Sequence, residues 1–302
     1  MFFGVPALIV VGLTWTLTGV VMSDAPRRKV DPAIVLLLSN GFSLIVCLGI
    51  MCFAGIAMVS WKVWLLAGGC YFCSSALNFL MLQVMSYAMQ RGPNGIIWSI
   101  IQSALIFPFL TGVIFFNSAF TLWRGVGLVV VVSSILLLGS GRDNRQKSGG
   151  WKLPTMAAFL MAGIVLSMNT IPSYYPELQK LDSIGRVLCS VSGGLLAGGM
   201  YNFSRYRSCS AAQWLGFLKN PLIWKYVLML KSFGLIASYL LLYPGLDAMA
   251  KAGAGCISYP LIVGSCIVGF NLYSLVRLRE KSSLVQIAGI ASCMAGLLLL
   301  MI

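Results

Sequence analysis

The stretch NGIIWSIIQSALIFPFLTGVIFF, residues 94–116, runs for 23 residues without a charged side chain. A helix needs about 20 mostly apolar residues to cross the hydrocarbon core of a bilayer. This stretch therefore predicts one membrane-spanning helix. Similar stretches recur along the whole chain, so their number and spacing determine the fold class.

The composition supports this interpretation for the chain as a whole. Of its 302 residues, 59% are hydrophobic and only 9% are charged, whereas a soluble domain carries about 25% charge. This balance excludes a soluble enzyme, a disordered protein and a nucleic-acid-binding protein. The net charge of +14 comes from single basic residues and short clusters between apolar runs, a pattern typical of the flanks of membrane helices. The absence of histidine excludes metal sites and catalytic triads that contain it.

Ten segments are long and apolar enough to be predicted as membrane helices. They cover residues 2–22, 33–59, 64–89, 94–116, 121–140, 154–173, 185–203, 222–244, 252–275 and 284–302. The loops between them are too short for a separate soluble domain. The first segment has no basic region before it, so we expect a retained helix and not a cleaved signal. The sequence therefore predicts an all-α membrane protein with ten transmembrane helices.

Two similarities between the halves of the chain indicate an internal repeat. AMQRGPNG (88–95) aligns with AMAKAGAG (248–255), and FTLWRGVG (120–127) aligns with SSLVQIAG (282–289). The alternative is chance similarity between membrane helices, which are alike in composition. A duplication is the interpretation that explains both matches at nearly the same offset.

The duplication divides the chain into two units. It predicts a first five-helix repeat at residues 1–140, a cytoplasmic linker at 141–153 and a second five-helix repeat at 154–302. Because five is odd, the second repeat must be inverted relative to the first. Inverted repeats are typical of secondary transporters, whose substrate site lies near the midplane between the two halves.

The basic residues predict the orientation. Fifteen of the 21 Lys and Arg residues fall in or beside alternate loops, beginning with the loop between the first two spans. The other loops have five, and Lys231 lies within a span. The positive-inside rule places the richer loops in the cytoplasm and both termini outside. All seven acidic residues lie outside the predicted spans or at their ends, so no carboxylate is expected in mid-membrane.

These features resemble the drug/metabolite transporter superfamily, and in particular its ten-helix branch. The resemblance covers nearly the whole chain in the number and spacing of the spans. Its most specific part is residues 78–140, which recur as residues 260–302. The family typically has a proline in the fourth and ninth spans and a glycine that opens the fifth and tenth spans. Both blocks have a proline and a glycine at these places. These residues are Pro108, Pro260, Gly127 and Gly289.

Two further features carry the resemblance. Glu280 lies where the family often has a glutamate before the last helix of a half, whereas NSAFTLWR (117–124) in the first half has none. The basic loop APRRKVDP (25–32) and the outward termini are similar to the bacterial L-rhamnose transporter group.

The resemblance implies a secondary active transporter in a bacterial inner membrane, working by alternating access. The substrates that it implies are sugars, amino acids, nucleosides or other small metabolites. Among these we expect a sugar or sugar-like compound, with a proton or another ion as the coupling ion. It implies a cavity built from spans 1–4 and 6–9, with spans 5 and 10 peripheral. It further implies a monomer or homodimer without a cofactor or metal.

The fourth span carries a polar stripe. Asn94, Trp98 and Gln102 recur every four residues and therefore share one helix face. Two amides and an indole on one face could hold a polar, uncharged ligand, with the ring covering an apolar surface. Hydrogen bonding between helices, which is common for Asn and Gln in membranes, is the alternative.

Lys231 is the basic residue deepest in a predicted span, about 15 Å along the helix. A central lysine costs about 2.5–3.5 kcal/mol on the insertion scale, so it is a candidate functional residue. It could bind an anionic or hydroxylated substrate, or act as a protonation switch that couples transport to a gradient. The alternative is a lysine bonded to backbone carbonyls between helices. Ser238 follows seven residues later on the same face.

Other aromatic or amide residues within the spans are weaker candidates for substrate binding. They are Trp15, Asn40, Asn78, Asn169, Tyr239, Tyr259 and Asn271. The pair Gly194 and Gly198 in the seventh span predicts close helix packing and no ligand site.

Three functions compete. The first is a transporter for a sugar-like metabolite. A variant of this function is an exporter or exchanger of amino acids or organic anions, in which Lys231 is the charge partner of the substrate. The second is a membrane enzyme, but the sequence has no cluster of carboxylates or other catalytic groups for it. The third is a channel or structural subunit, which would need no duplicated architecture. We expect a transporter and no enzymatic activity.

Overall fold

The chain is all-helical in the parts described by its computed structural model. These parts are residues 3–54, 59–92, 94–140, 149–207, 211–276 and 284–302, and they contain no β-strand. The all-α fold class is therefore confirmed. The apolar segments form helices because a backbone in hydrocarbon must satisfy its polar groups within its own segment.

Ten main helices, α1 to α10, occur in the described residues. They are α1 Gly4–Arg27, α2 Pro32–Ala54, α3 Trp61–Met89, α4 from Asn94–Gln102 through Ser103–Leu105 to Ile106–Phe116, α5 Leu122–Ser140, α6 Lys152–Tyr174, α7 Ser183–Arg205, α8 Pro221–Lys251, α9 Ser258–Val276 and α10 Leu284–Leu300. Shorter helical turns occupy loops at Gly149–Trp151, Pro176–Gln179 and Ala211–Lys219, and Gly255–Ile257 leads into α9.

Seven of these helices are long and apolar enough to cross a membrane by length and composition. They are α1, α2, α3, α4, α6, α7 and α8, whereas α5, α9 and α10 contain shorter apolar stretches. Large apolar side chains point outward from them, with Phe53 95% and Leu153 81% exposed. A soluble protein rarely exposes so much contiguous apolar surface. The protein is therefore a multi-pass membrane protein.

Two prolines explain local changes of helix geometry. Because proline lacks an N–H and its ring clashes with the carbonyl four residues earlier, the helix before it must adjust. α4 tightens into a 3-10 turn at Ser103–Leu105 before Pro108, and α8 widens into a π-helical turn at Ser238–Leu242 before Pro244. Both adjustments lie near the middle of their helices, where neighbouring helices surround them.

The end of α8 corrects one expectation from the sequence. The predicted span ended at residue 244, but the helix continues to Lys251 and ends where Gly253 adopts a left-handed φ of 67°. Asp247 therefore lies inside a membrane-spanning helix and not beyond its end. Residues 141–148 of the predicted linker lie outside the described residues, and α6 begins at Lys152.

The helix contacts follow a regular pattern. α1 packs on α8 and α9, whereas α6 packs on α3 and α4. α2 packs on α7, and α5 packs on α10. The last pair approaches closely at Gly127, where a Cβ atom would lie 2.9 Å from the carbonyl oxygen of Gly296. Every helix of the first half thus has its main contacts with helices of the second half.

Candidate functional site

A cavity of about 320 Å³ lies between the two halves of the chain. Its lining comes from α1–α4 and α6–α9, and no described residue of α5 or α10 contributes to it. The lining residues fall near the middle of several helices, such as residues 14–18 of α1 and 162–169 of α6. The volume lies at the lower end of the roughly 300–1,000 Å³ typical of small-molecule sites.

Eight of the twelve predicted site residues line this cavity. They are Trp15, Asn40, Asn78, Trp98, Gln102, Asn169, Lys231 and Ser238. The structure thus brings together residues from α1, α2, α3, α4, α6 and α8 that lie up to 223 positions apart in the sequence.

The remaining four predicted residues have other positions. Tyr259 is fully buried behind Trp15, with ring centroids 6.2 Å apart, and does not reach the cavity wall. Tyr239 packs against the main apolar core and is also not part of the lining. Helix periodicity alone does not tell which face a neighbour covers, and a role of these two residues in substrate binding stays a prediction. The side chains of Asn94 and Asn271 lie outside the described residues.

The cavity wall is mostly apolar, and its polar side chains are almost all uncharged. Asn78, Gln102 and Asn169 supply amides, and the indoles of Trp15 and Trp98 supply flat apolar surfaces. Such a combination can hydrogen-bond hydroxyl groups while a ring covers the carbon skeleton between them. Aliphatic side chains fill the gaps between these groups.

Lys231 is the one charged side chain among the described cavity-lining residues. Its Nζ donates a hydrogen bond to Asn40 Oδ1 at 3.3 Å, which links α8 to α2. Among the described residues it forms no ion pair. A cation without a carboxylate partner in a membrane interior is costly, so its retention in the cavity favours a functional role.

The hydroxyl of Ser238 is occupied by its own helix. Its Oγ donates to the carbonyl oxygen of Gly234 at 2.8 Å. This local bond satisfies the carbonyl where the π-helical turn disturbs the regular hydrogen bonds. Ser238 therefore contributes to the wall of the cavity, but its proton is not free for a ligand.

Several polar lining residues were missed at the sequence level. They are Thr14, Thr18, Ser74, Ser75, Ser190 and Tyr243. Small hydroxyl residues are common wherever membrane helices pack closely, so their presence in a span carries little signal. Only the packing of α1, α3, α7 and α8 distinguishes those that face the cavity.

Tyr243 begins a second polar cluster behind one wall of the cavity. Its ring packs edge-on against Tyr71 with centroids 5.0 Å apart, and the guanidinium of Arg186 lies 5.7 Å from its centroid. Arg186 forms a two-pronged ion pair with Asp247 at 2.9 and 2.8 Å. It also donates to the carbonyl oxygens of Leu181 and Gln179. Arg186 is 2% exposed and the Asp247 side chain 17%, so this cluster is a largely buried junction of α3, α7 and α8.

Known proteins identify the fold but not the activity. No family model and no curated protein matches this sequence. A solved structure described as "Crystal structure of protein" is similar over 98% of this chain and 95% of its own chain, with a TM-score of 0.70 and 13% identity. A likeness at this identity shows the fold alone. It extends over both halves, so the arrangement of all ten helices has a counterpart in a solved structure.

Proposed function

We propose that this protein is a secondary active transporter that moves a small polar metabolite across a membrane by alternating access. The observation that carries the proposal is a cavity with polar groups in its wall, lined by eight helices from both halves of an otherwise apolar chain. Polar groups in hydrocarbon are costly, and in membrane proteins they mark substrate or ion pathways. A carrier needs such a site about halfway across the bilayer.

The helix contacts support two inverted repeats. In two such repeats, each helix of the first half corresponds to the helix five places later, so α1 corresponds to α6 and α4 to α9. The contact of α1 with α9 then corresponds to the contact of α6 with α4. The contact of α1 with α8 corresponds to that of α6 with α3 in the same way. The pairs α2–α7 and α5–α10 correspond to themselves, as expected for helices on a two-fold axis. Ten crossings divided into two fives would place the repeats in opposite orientations.

The surroundings of the protein are part of the same proposal. The distribution of basic residues fits a bacterial inner membrane with both termini outside. The resemblance to the drug/metabolite transporter superfamily, including its L-rhamnose group, agrees with the amides and indoles of the cavity in favouring a sugar-like substrate. A monomer or homodimer coupled to a proton or another ion completes the proposal.

The experiment is counterflow in liposomes that contain the purified protein. Liposomes loaded with an unlabelled sugar, amino acid or organic acid are diluted into a trace of the labelled compound. A carrier accumulates the label transiently and saturates with concentration. A linear flux without accumulation would indicate a channel, and chemical conversion of the label would indicate an enzyme.

A matched pair of variants links the flux to the cavity. Trp98→Ala removes an indole from the wall, so we expect uptake to be abolished while the protein remains folded. Trp123→Ala removes an indole from the outer surface of α5, where 53% of the residue is exposed, and should leave uptake unchanged. Normal uptake by the Trp98 variant would show that the substrate binds elsewhere.

A further inference from the structure

We propose that Lys231, Asn40 and Ser75 form an oxyanion site, and that the transported substrate is a small hydroxylated carboxylate of the sugar-acid type. This inference rests on the proposed transport function and specifies its substrate class. The uncharged polar groups of the cavity wall by themselves favour a neutral sugar, and the cation Lys231 by itself favours an organic anion. A hydroxylated carboxylate fits both features.

The first observation is the unbalanced charge of the cavity. Lys231 brings one positive charge, and the described lining residues contain no Asp or Glu to neutralise it. Its contact with Asn40, at 3.3 Å, is a long hydrogen bond to a neutral oxygen. A ligand with one negative charge would provide the missing partner, and a charge-assisted hydrogen bond to it would be stronger than the present one.

The second observation concerns the direction of the Asn40 amide. An ammonium group can only donate, so the oxygen of Asn40 must face Lys231 and its NH₂ group must face away. The structure places that Nδ2 against Gly194 on α7, where a Cβ atom would lie 2.6 Å from it. The donor end of the amide is thus held over the glycine.

The third observation is that Ser75 meets Asn40 at the same glycine. A Cβ atom on Gly194 would also lie 2.9 Å from Ser75 Oγ. The amide of α2 and the hydroxyl of α3 are therefore neighbours over a glycine that leaves room for both. The ammonium of α8 bonds the oxygen end of the same amide, so donor groups from three helices are neighbours on one part of the cavity wall.

The function of Gly194 differs from that of its neighbour. Close approach of α7 to α3 is due to Gly193, whose Cβ atom would lie 2.0 Å from the carbonyl oxygen of Phe72. Gly194 instead faces the two polar side chains of the proposed site. The closest backbone contact of α7 is therefore made by Gly193, one residue before the predicted pair of Gly194 and Gly198. Gly194 is buried behind Asn40 and Ser75 and does not itself line the cavity.

Three neighbouring donors without a carboxylate among the described lining residues fit an oxyanion. The nearby amides of Asn78, Gln102 and Asn169 would bond hydroxyl groups, and Trp98 would cover the carbon chain between them. A cavity of about 320 Å³ limits the ligand to a small molecule. Together these features select a short polyhydroxylated chain that ends in a carboxylate.

The test is binding to the purified protein in detergent, which does not depend on transport. Gluconate and glucuronate are compared with their uncharged relatives sorbitol and glucose, and inorganic phosphate is a separate arm. Binding is followed by the rise in melting temperature and by calorimetry, since a ligand stabilises the folded state by mass action. We expect the two carboxylates to bind at least about tenfold more tightly than the neutral compounds.

Variants assign the preference to the proposed residues. Lys231→Met should weaken carboxylate binding about 10- to 100-fold, the loss expected for a hydrogen bond to a charged group. Lys231→Arg, which keeps the charge, should retain part of the affinity. Lys225→Met, an exposed lysine on the same helix, should change nothing.

Each contrary outcome has a distinct meaning. Equal binding of gluconate and sorbitol, or an unchanged preference in the Lys231→Met variant, would overturn the oxyanion site. Binding of phosphate without either carboxylate would overturn the substrate class. Carboxylate binding without counterflow would reject the proposed transport function, whereas counterflow of neutral sugars alone would keep the transport function and reject this inference.

Discussion

Arg186 and Lys231 both lie inside this protein, and their surroundings differ. Arg186 is buried in protein and makes bonds to a carboxylate and two backbone carbonyls. Lys231 faces a cavity and makes one long bond to an amide. Arginine suits the first position because its planar fork matches a carboxylate, and lysine suits the second because it offers a single mobile charge. A satisfied buried charge holds helices together, whereas an unsatisfied one is available to a ligand.

The largest effect on stability is expected from Arg186→Met. The change leaves Asp247, whose side chain is only 17% exposed, without its partner, and such a loss costs up to about 3–5 kcal/mol. Thermal unfolding in detergent, followed by loss of monodisperse protein, measures this cost. A variant that unfolds at the same temperature as the parent would show that the ion pair does not hold α7 and α8 together.

A double-mutant cycle sharpens this assignment. Asp247→Asn alone should also destabilise the protein, because it weakens the charge partner of Arg186. The double variant Arg186→Met/Asp247→Asn should lose less than the sum of the two single changes, with a coupling energy of about 1–3 kcal/mol. Strict additivity in the same unfolding assay would contradict a direct interaction between the two side chains.

Lys231→Met should behave in the opposite way. Its ammonium gains only one long hydrogen bond, so replacing it by an apolar side chain of similar length should change the free energy of unfolding by less than about 1 kcal/mol. Uptake should nevertheless be abolished, as measured by counterflow. Strong destabilisation with normal uptake would reverse the roles assigned to Arg186 and Lys231.

The smallest effect on stability is expected from a pair of glycine changes in α7. Gly194→Ala places a methyl group against Asn40 and Ser75, whose side chains can shift, whereas Gly199→Ala has nothing within 4 Å. Both replace glycine inside a helix, which favours the helix by up to about 1 kcal/mol each. Only Gly194→Ala should reduce ligand affinity, measured by calorimetry. Equal affinity in both variants would remove Gly194 from the site.

Most residues that the sequence singled out line the cavity, and the exceptions show what the sequence lacks. Depth in a span identified Lys231, and amide or indole side chains in apolar surroundings identified Asn40, Trp98 and Gln102. The same rules placed Tyr259 in the cavity, although another helix covers it. A residue's type and depth are local properties, whereas exposure to a cavity depends on which helix covers its face.

By itself, the sequence determined that the chain is a multi-pass helical membrane protein, because the length and apolarity of each segment set its partition into a bilayer. It also determined where each helix lies, to within a few residues except at the junction of α8 and α9. Only the tertiary structure decided which polar groups meet. The bond between Asn40 and Lys231 joins residues 191 positions apart, and the pair of Arg186 and Asp247 joins residues 61 apart. Such contacts depend on how helix faces pack, and the periodicity of a single helix carries no information about its neighbours.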